Sequence, residues 1–161
     1  MIWIRRILAA VVLAGANTGM AAQNEIARIL SLPKAPQGVV FEIVSGQEGA
    51  LTWAIPEVRR HAERLRARFP GLSITVVSHG SEQFALSRGN QARYRALHND
   101  VRQIKQEGID VQVCGTHASW RQLDPEDFPD YVGVAAAAPA TINDYREIGY
   151  QLVVLRRPSI P

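Results

Sequence analysis

The stretch VVFEIVSGQEGALTWAIPEVRRHAERLRARFPGLSITVVS, from Val39 to Ser78, decides the fold class of this chain. Its two ends, 39–44 and 73–78, are runs rich in apolar β-branched residues, a pattern typical of strands covered on both faces. Between them apolar residues recur every three or four positions, which predicts an amphipathic helix; these residues are Leu51, Ile55, Val58, Ala62, Leu65 and Phe69. A strand, a helix and a strand in this order predict a right-handed crossover between parallel strands.

The same alternation continues to Leu155. We predict a helix capped by Asn90, a third strand at 109–113, a small-residue fourth strand at 132–138, a helix at 141–148 and a fifth strand at 151–155. Strands that alternate with helices in this way predict an α/β three-layer sandwich, a five-stranded, mostly parallel sheet with helices on both faces. The connection lengths permit more than one strand order.

Size and composition limit the classes of protein to consider. The chain has 161 residues, 47% hydrophobic and 20% charged, which suits one globular domain. A single cysteine cannot form a disulfide within the chain, which excludes a disulfide scaffold.

The N-terminus has the pattern of a secretory signal peptide. Arg5 and Arg6 precede an apolar run, Ile7 to Ala16, and small residues follow it. We expect cleavage after Ala21, with Ala22 as the near alternative, and a periplasmic or secreted protein; the export route stays open. The apolar run is shorter than the roughly 20 residues of a spanning helix, so no stable membrane span is expected after cleavage. Residues 22–37 are then an N-terminal lead-in, a short helix or extended chain followed by a linker, and 38–161 a single domain.

The positive charge does not indicate a nucleic-acid partner. The whole chain has 18 Lys and Arg against 15 Asp and Glu, and without Arg5 and Arg6 the counts are 16 and 15, a net charge of +1. The arginines of the helix within 51–69 alternate with glutamates, which favours a solvated face. His61 and His98 lie beside charged residues in the sequence and are interpreted as surface groups.

Residues able to do chemistry follow three of the predicted strands. In open α/β sheets ligands bind beyond the carboxyl ends of the strands. Ser45 and Gly46 follow the first strand, His79 and Gly80 the second, and the third runs into Cys114-Gly115-Thr116-His117. A thiol at a strand end that leads into a helix faces backbone N–H groups, which favours reactivity. Inert burial, the usual fate of a free cysteine, is the alternative.

The histidines near these strand ends have two interpretations each. His79 is a base or cation for the thiol, or it holds a turn through a backbone carbonyl. His117 forms a C-x-x-H pair with Cys114, but two scattered ligands are too few for a metal site, so no metal is expected. The standard phosphate and dinucleotide signatures are missing from the sequence, and we expect no cofactor.

Four segments in order resemble one known family. They are VVFEIVSG, VVSHG, GIDVQVCGT and Gly149-Tyr150, and together they resemble the DsrE/DsrF-like sulfur relay proteins from Val39 to Leu155. The resemblance implies an α/β sandwich that assembles into trimers or hexamers. It also implies that Cys114 is a sulfur acceptor.

By position in that family, His79 and Gly80 match a recurring His-Gly corner, and Gly115 and Thr116 shape the loop around the thiol. The signal peptide departs from the cytoplasmic relay members. The resemblance therefore predicts an exported sulfur-handling protein that carries a persulfide on Cys114, with an exported donor or acceptor protein as its partner. The alternative is a non-catalytic oligomeric module of the same fold that binds a small ligand or a protein.

Overall fold

The computed structural model describes residues 17–157, which form five parallel strands, five α-helices and four short 3₁₀ helices. The strands are β1 (Gly38–Ile43), β2 (Ser73–Ser78), β3 (Ile109–Cys114), β4 (Gly133–Ala135) and β5 (Tyr150–Leu155). The helices are α1 (Asn17–Leu30), α2 (Leu51–Arg68), α3 (Arg95–Gln106), α4 (Gly115–Ser119) and α5 (Ala138–Glu147). The signal peptide predicted for residues 1–21 lies outside the described residues except for 17–21, which begin α1.

The strand order is β4-β3-β2-β1-β5, so β2 is the central strand and β1 lies between β2 and β5. Val40 of β1, for example, lies between Thr75 of β2 and Leu152 of β5. The chain proceeds from β1 through β2 and β3 to β4 in one direction and then returns to place β5 on the other side of β1. The order therefore reverses between β1 and β5, the position where open α/β sheets bind ligands. The predicted α/β sandwich is confirmed.

The main core lies on the face of the sheet covered by α1, α2 and α3. Alternate residues of β1, Val39, Phe41 and Ile43, point to this face and pack against the apolar stripe of α2. Each fully buried side chain of this size contributes about 1.5–3 kcal/mol to folding. Helix α1 belongs to the same core through Ile26 and Ile29, both fully buried. The lead-in is thus helical as far as Leu30.

The opposite face carries a smaller cluster beneath α5. Val40, Val77 and Cys114 pack against Ala138 and Ile142 of that helix. Strand residues alternate between the two faces, so the residues two positions from these also point toward the α5 face. This places Glu42 and His79 on the same face as the thiol, near the carboxyl ends of their strands.

Two element boundaries differ from the prediction. The fourth strand spans only Gly133–Ala135, and α5 begins at Ala138, because Pro139 fits the first turn of a helix, where its missing N–H costs nothing. Asn90 does not cap a helix: its side-chain amide donates to the Phe84 carbonyl at 3.0 Å, and α3 begins at Arg95 after further turns.

His61 and His98 are buried, so their interpretation as surface groups is wrong. Their exposed fractions are 1% and 0%. The ring of His98 contacts the Tyr131 hydroxyl at 2.6 Å and the Ala85 carbonyl at 3.0 Å. Burial lowers the pKa of both histidines below the ordinary value. Charged neighbours in the sequence were misleading, because the helical period turns both rings toward the core.

Candidate functional site

Three polar side chains follow one another across the carboxyl ends of β1, β2 and β3. They are Glu42, His79 and Cys114. Ser78 of β2 lies opposite Val113 of β3, so the next residue of each strand, His79 and Cys114, reaches the same level of the sheet. The backbone N–H of His79 donates to the Ile43 carbonyl at 3.1 Å, which continues the β1–β2 ladder to this level. The sheet therefore places a carboxylate, an imidazole and a thiol on three neighbouring strands, all on its α5 face.

His79 and Glu42 form a hydrogen-bonded pair. His79 Nε2 lies 2.8 Å from Glu42 Oε1, and the two side chains are 18% and 22% exposed. The hydrogen bond to His79 lowers the pKa of Glu42 below its ordinary value; burial opposes this, and the charges of His79 and Arg156 contribute in the same direction as the hydrogen bond. An ionised Glu42 accepts the Nε2 proton, so Nδ1 is the nitrogen with a lone pair when the ring is neutral.

The Cys114 thiol lies at the N-terminus of α5. The N–H of Ala138, the first residue of that helix, donates to Cys114 Sγ at 3.5 Å. Such a donor, aligned with a helix dipole, stabilises negative charge on sulfur. The cysteine is free and 5% exposed. The thiol therefore combines the burial expected of an inert cysteine with a contact that suits a thiolate.

The side chain of Gln83 holds the backbone of Cys114. Gln83 Oε1 accepts from the Cys114 N–H at 2.7 Å, and Gln83 Nε2 donates to the Cys114 carbonyl at 3.4 Å. The glutamine is fully buried in the 3₁₀ segment Ser81–Leu86. One amide group thus pairs with both polar atoms of the strand-end residue and fixes the direction from which the thiol leaves the sheet.

The neighbouring Glu82 holds the strand end that carries His79. Its carboxylate is fully buried and accepts hydrogen bonds from the Ser78 hydroxyl at 2.7 Å, the Gly80 N–H at 2.9 Å and the Ser45 N–H at 2.7 Å. Three donors satisfy the buried charge. Because Ser78 and Gly80 flank His79, Glu82 fixes the backbone on both sides of the imidazole. Glu42, Glu82 and Gln83 are site residues that the sequence did not predict.

Gly80 leaves the space that this carboxylate occupies. A Cβ at position 80 would lie 2.3 Å from Glu82 Oε2 and 2.4 Å from the Ser45 carbonyl oxygen. Its φ of −97° is open to any residue, so the glycine is required by close approach and not by backbone conformation. The His-Gly corner is therefore a packing requirement.

The remaining predicted site residues lie in α4 and border the thiol loop. A Cβ at Gly115 would lie 3.2 Å from the Ala135 carbonyl oxygen. The Thr116 N–H and hydroxyl both donate to the Ala136 carbonyl, at 3.0 and 2.7 Å. His117 Nδ1 donates to the His79 carbonyl at 2.9 Å, so this imidazole holds the backbone of the neighbouring strand end. All six predicted residues thus lie at one edge of the sheet.

Two further findings concern metals and membranes. Within residues 17–157, no three His, Cys, Asp or Glu side chains are grouped so that they could hold a metal ion. No helix in this part of the chain has the length and apolar character that crossing a bilayer requires.

Comparison with known proteins supports the fold alone. No protein-family model and no curated protein matches the sequence. A solved structure of a protein of unknown function from Methanobacterium thermoautotrophicum is similar, with a TM-score of 0.58 and 22% sequence identity, over 72% of this chain and 96% of that chain. The resemblance to the DsrE/DsrF-like family stays a prediction.

Proposed function

We propose that this protein is an exported sulfur carrier that accepts a sulfane sulfur on Cys114 as a persulfide and passes it to an acceptor thiol. One observation carries the proposal: Glu42, His79 and Cys114 follow one another across three strand ends, and the sulfur contacts the first N–H of α5. His79 and Cys114 lie at the same level of adjacent strands, and an imidazole held by a carboxylate is the kind of group that serves as the base of a thiol.

The chemistry is two thiol exchanges with no external oxidant. In the first, the Cys114 thiolate attacks the outer sulfur of a donor persulfide. A new S–S bond forms on Cys114 and the S–S bond of the donor breaks; a persulfide donor leaves as a thiolate, thiosulfate as sulfite and polysulfide as a polysulfide one sulfur shorter. In the second, an acceptor thiolate attacks the same outer sulfur and Cys114 leaves as a thiolate. His79 takes the proton from the Cys114 thiol before the first attack.

Access decides which donors can react. Cys114 is 5% exposed, so a donor reaches Sγ only when its cover opens. That cover includes Ala138, which is fully buried and whose chain neighbours Ala137 and Pro139 are half-buried and exposed. Opening a short alanine-rich segment at the surface disturbs little of the core. A small inorganic donor such as thiosulfate or polysulfide needs the least opening and is the first donor to use.

The location and partners rest on the sequence. The signal peptide predicted for residues 1–21 supports a periplasmic or secreted carrier, whose donor or acceptor protein is exported too. The family resemblance supports a homo-oligomer, a trimer or hexamer.

The test is the intact mass of the purified protein after exposure to polysulfide, with and without reductant. The proposal predicts a gain of one sulfur atom per chain that reductant removes and that Cys114→Ser abolishes. His79→Gln slows the gain, whereas Gln106→Leu, at an exposed position of α3, leaves its rate unchanged. Absence of a gain in a wild-type protein whose thiol is titratable and reduced contradicts the proposal.

A second candidate function is a non-catalytic module that binds a ligand or a protein partner. The burial of Cys114 favours it, because an inert thiol is the usual reason for a buried free cysteine. In that case Cys114→Ser retains the biological role, and variants on a binding surface lose it.

A further inference from the structure

Three arginines border one cavity beside the beginning of α3. They are Arg88, in the 3₁₀ turn before that helix, Arg95, its first residue, and Arg102, two helical turns later on the same face. The cavity has a volume of about 380 Å³, and its other lining residues are Gln91, Ala92 and His98. Among the described residues that line it there is no Asp or Glu, so three positive charges border the cavity and no negative one.

Two of these arginines have no acidic partner in the described part of the chain. The side chain of Arg95 is exposed and makes no hydrogen bond or ion pair there. Arg102 donates to the side-chain oxygen of Asn99 at 2.7 Å and to no carboxylate. Arg88 forms an ion pair with Asp130 at 2.8 Å, but that carboxylate is 98% exposed and does not line the cavity. Because such exposed pairs contribute only about 0–1 kcal/mol, an anion in the cavity can compete for Arg88.

The guanidinium of Arg102 is held in place beside the cavity. It lies over the ring of Tyr131, 4.6 Å from the ring centre, and the Tyr131 hydroxyl lies 2.6 Å from Nδ1 of His98. His98 is fully buried, and its Nε2 lies 3.0 Å from the Ala85 carbonyl oxygen. A buried imidazole thus anchors the aromatic ring on which the guanidinium rests. A cation positioned in this way loses less conformational freedom on binding a ligand than a mobile one.

The charges around the cavity favour a small anion with two negative charges. A sphere of 380 Å³ is about 9 Å across, close to the Debye length of about 8 Å at physiological ionic strength, so the three charges are only partly screened from one another. Asp130 offsets the charge of Arg88, which leaves two charges for a ligand. The planar fork of an arginine donates two parallel hydrogen bonds to a phosphate-type oxyanion. Ala92 is the only apolar side chain of the lining, so an apolar ligand body has little to pack against.

We propose that this cavity binds a tetrahedral dianion of the phosphate or sulfate type. Its oxygens accept hydrogen bonds from Arg95 and Arg102, and Arg88 adds positive charge. The proposal does not depend on Cys114, which does not line the cavity and belongs to the cluster on the opposite face of the sheet.

The test is a titration of the purified ¹⁵N-labelled protein with sodium sulfate, with sodium chloride adjusted to keep the ionic strength constant. The backbone N–H resonances of residues 91–95 should shift saturably, with a Kd of about 1 mM or tighter for a ligand of this size and charge. Sodium chloride alone should not shift them saturably. Inorganic phosphate, titrated calorimetrically at a pH above its second pKa, is the second probe, and the dianion that binds more tightly identifies the ligand type.

Variants show whether the arginines form one site. Arg95→Gln and Arg102→Gln should each weaken sulfate binding about tenfold, as expected for the loss of a charged donor to a charged acceptor. Arg95 has no partner to lose, so its variant keeps the fold intact. Arg64→Gln is the matched control, because it removes an exposed arginine of α2 that does not line the cavity, and it should change the affinity by less than about twofold. Cys114→Ser should leave the affinity unchanged.

Three results overturn the proposal. One is the absence of a saturable shift at about 10 mM sulfate, ten times the expected Kd. Another is an unchanged affinity in Arg95→Gln. The third is an equal loss in Arg64→Gln and Arg95→Gln, which would mean that sulfate responds to the net charge of the surface and not to this cavity.

Discussion

Substituting Gly80 by alanine tests whether the strand-end corner is held as the structure indicates. The added Cβ would lie 2.3–2.5 Å from Glu82 Oε2 and the backbone of Ser45, so the carboxylate must move. Overpacking of this kind costs about 1–3 kcal/mol. Displacing Glu82 also leaves backbone N–H donors without an acceptor, and each buried unpaired donor lowers the stability by about 1–3 kcal/mol.

The expected loss is therefore about 3 kcal/mol, and for a domain of this size it lowers the Tm by about 10 °C. Gly46 provides a matched control, because it follows the neighbouring strand and nothing lies within 4 Å of its Cβ position. Gly46→Ala should change stability by less than about 1 kcal/mol, in the stabilising direction, through the entropy of the unfolded chain.

Thermal and urea unfolding followed by circular dichroism measure both variants. Sulfur loading should fall in Gly80→Ala at a temperature where the variant is still folded, because the displaced corner carries His79. Equal stability of the two alanine variants would show that the tight contact at position 80 does not constrain the corner.

Three further predictions concern buried polar groups. Gln83→Leu leaves a strand-end N–H unpaired and should cost about 1–3 kcal/mol in urea unfolding, whereas exposed Gln106→Leu should stay within about 0.5 kcal/mol. Because burial lowers the pKa of His98, the unfolded chain binds the proton more readily than the folded protein, and wild-type stability should fall as the pH drops below about 6.5. His98→Gln should be less stable than the wild type at pH 7, and its stability should change less between pH 7 and 5. Because the pKa of Glu42 is lower in the folded protein, its ionised carboxylate stabilises the fold above pH about 4.3, the value for glutamate in the unfolded chain, and this stability is lost as the pH falls through the folded pKa. His79→Gln should remove this dependence of stability on acid pH. A pH–stability profile unchanged by His79→Gln would contradict the Glu42–His79 pair.

The sheet was predictable because its strands are short apolar runs that no helix period fits. The strands at 39–44, 73–78 and 109–113 are observed within one residue of the prediction at either end. The fourth strand was predicted too long, because the alanines 135–138 are compatible with both a strand and a helix, and Pro139 decides for the helix. The strand order required the three-dimensional structure, because several orders share these connection lengths.

The residues of the candidate site that follow strand ends could be predicted from the sequence. The residues of the following 3₁₀ segment, which fix the backbone of the site, could not. Cys114 and His79 could be located from the general position of ligands in α/β sheets. Glu82 and Gln83 could not, because a polar pair after a glycine normally indicates a solvated turn. Glu42, in contrast, could have been identified from the sequence. It is a charged residue within an otherwise apolar strand, and such a residue requires a buried or half-buried partner.

The central claim is that Cys114 both accepts and passes on sulfur, and isotope transfer tests it most directly. The protein is loaded with polysulfide carrying a heavy sulfur isotope, freed of donor, and then given a small acceptor thiol while the masses of the protein and the acceptor are followed. A sulfur carrier of this kind gains one heavy sulfur on each wild-type chain and none on Cys114→Ser, and the heavy sulfur then appears as persulfide on the acceptor while the protein returns to its starting mass. A wild-type protein that takes up no heavy sulfur although its thiol is reduced, or that keeps the sulfur in the presence of excess acceptor, would contradict the account.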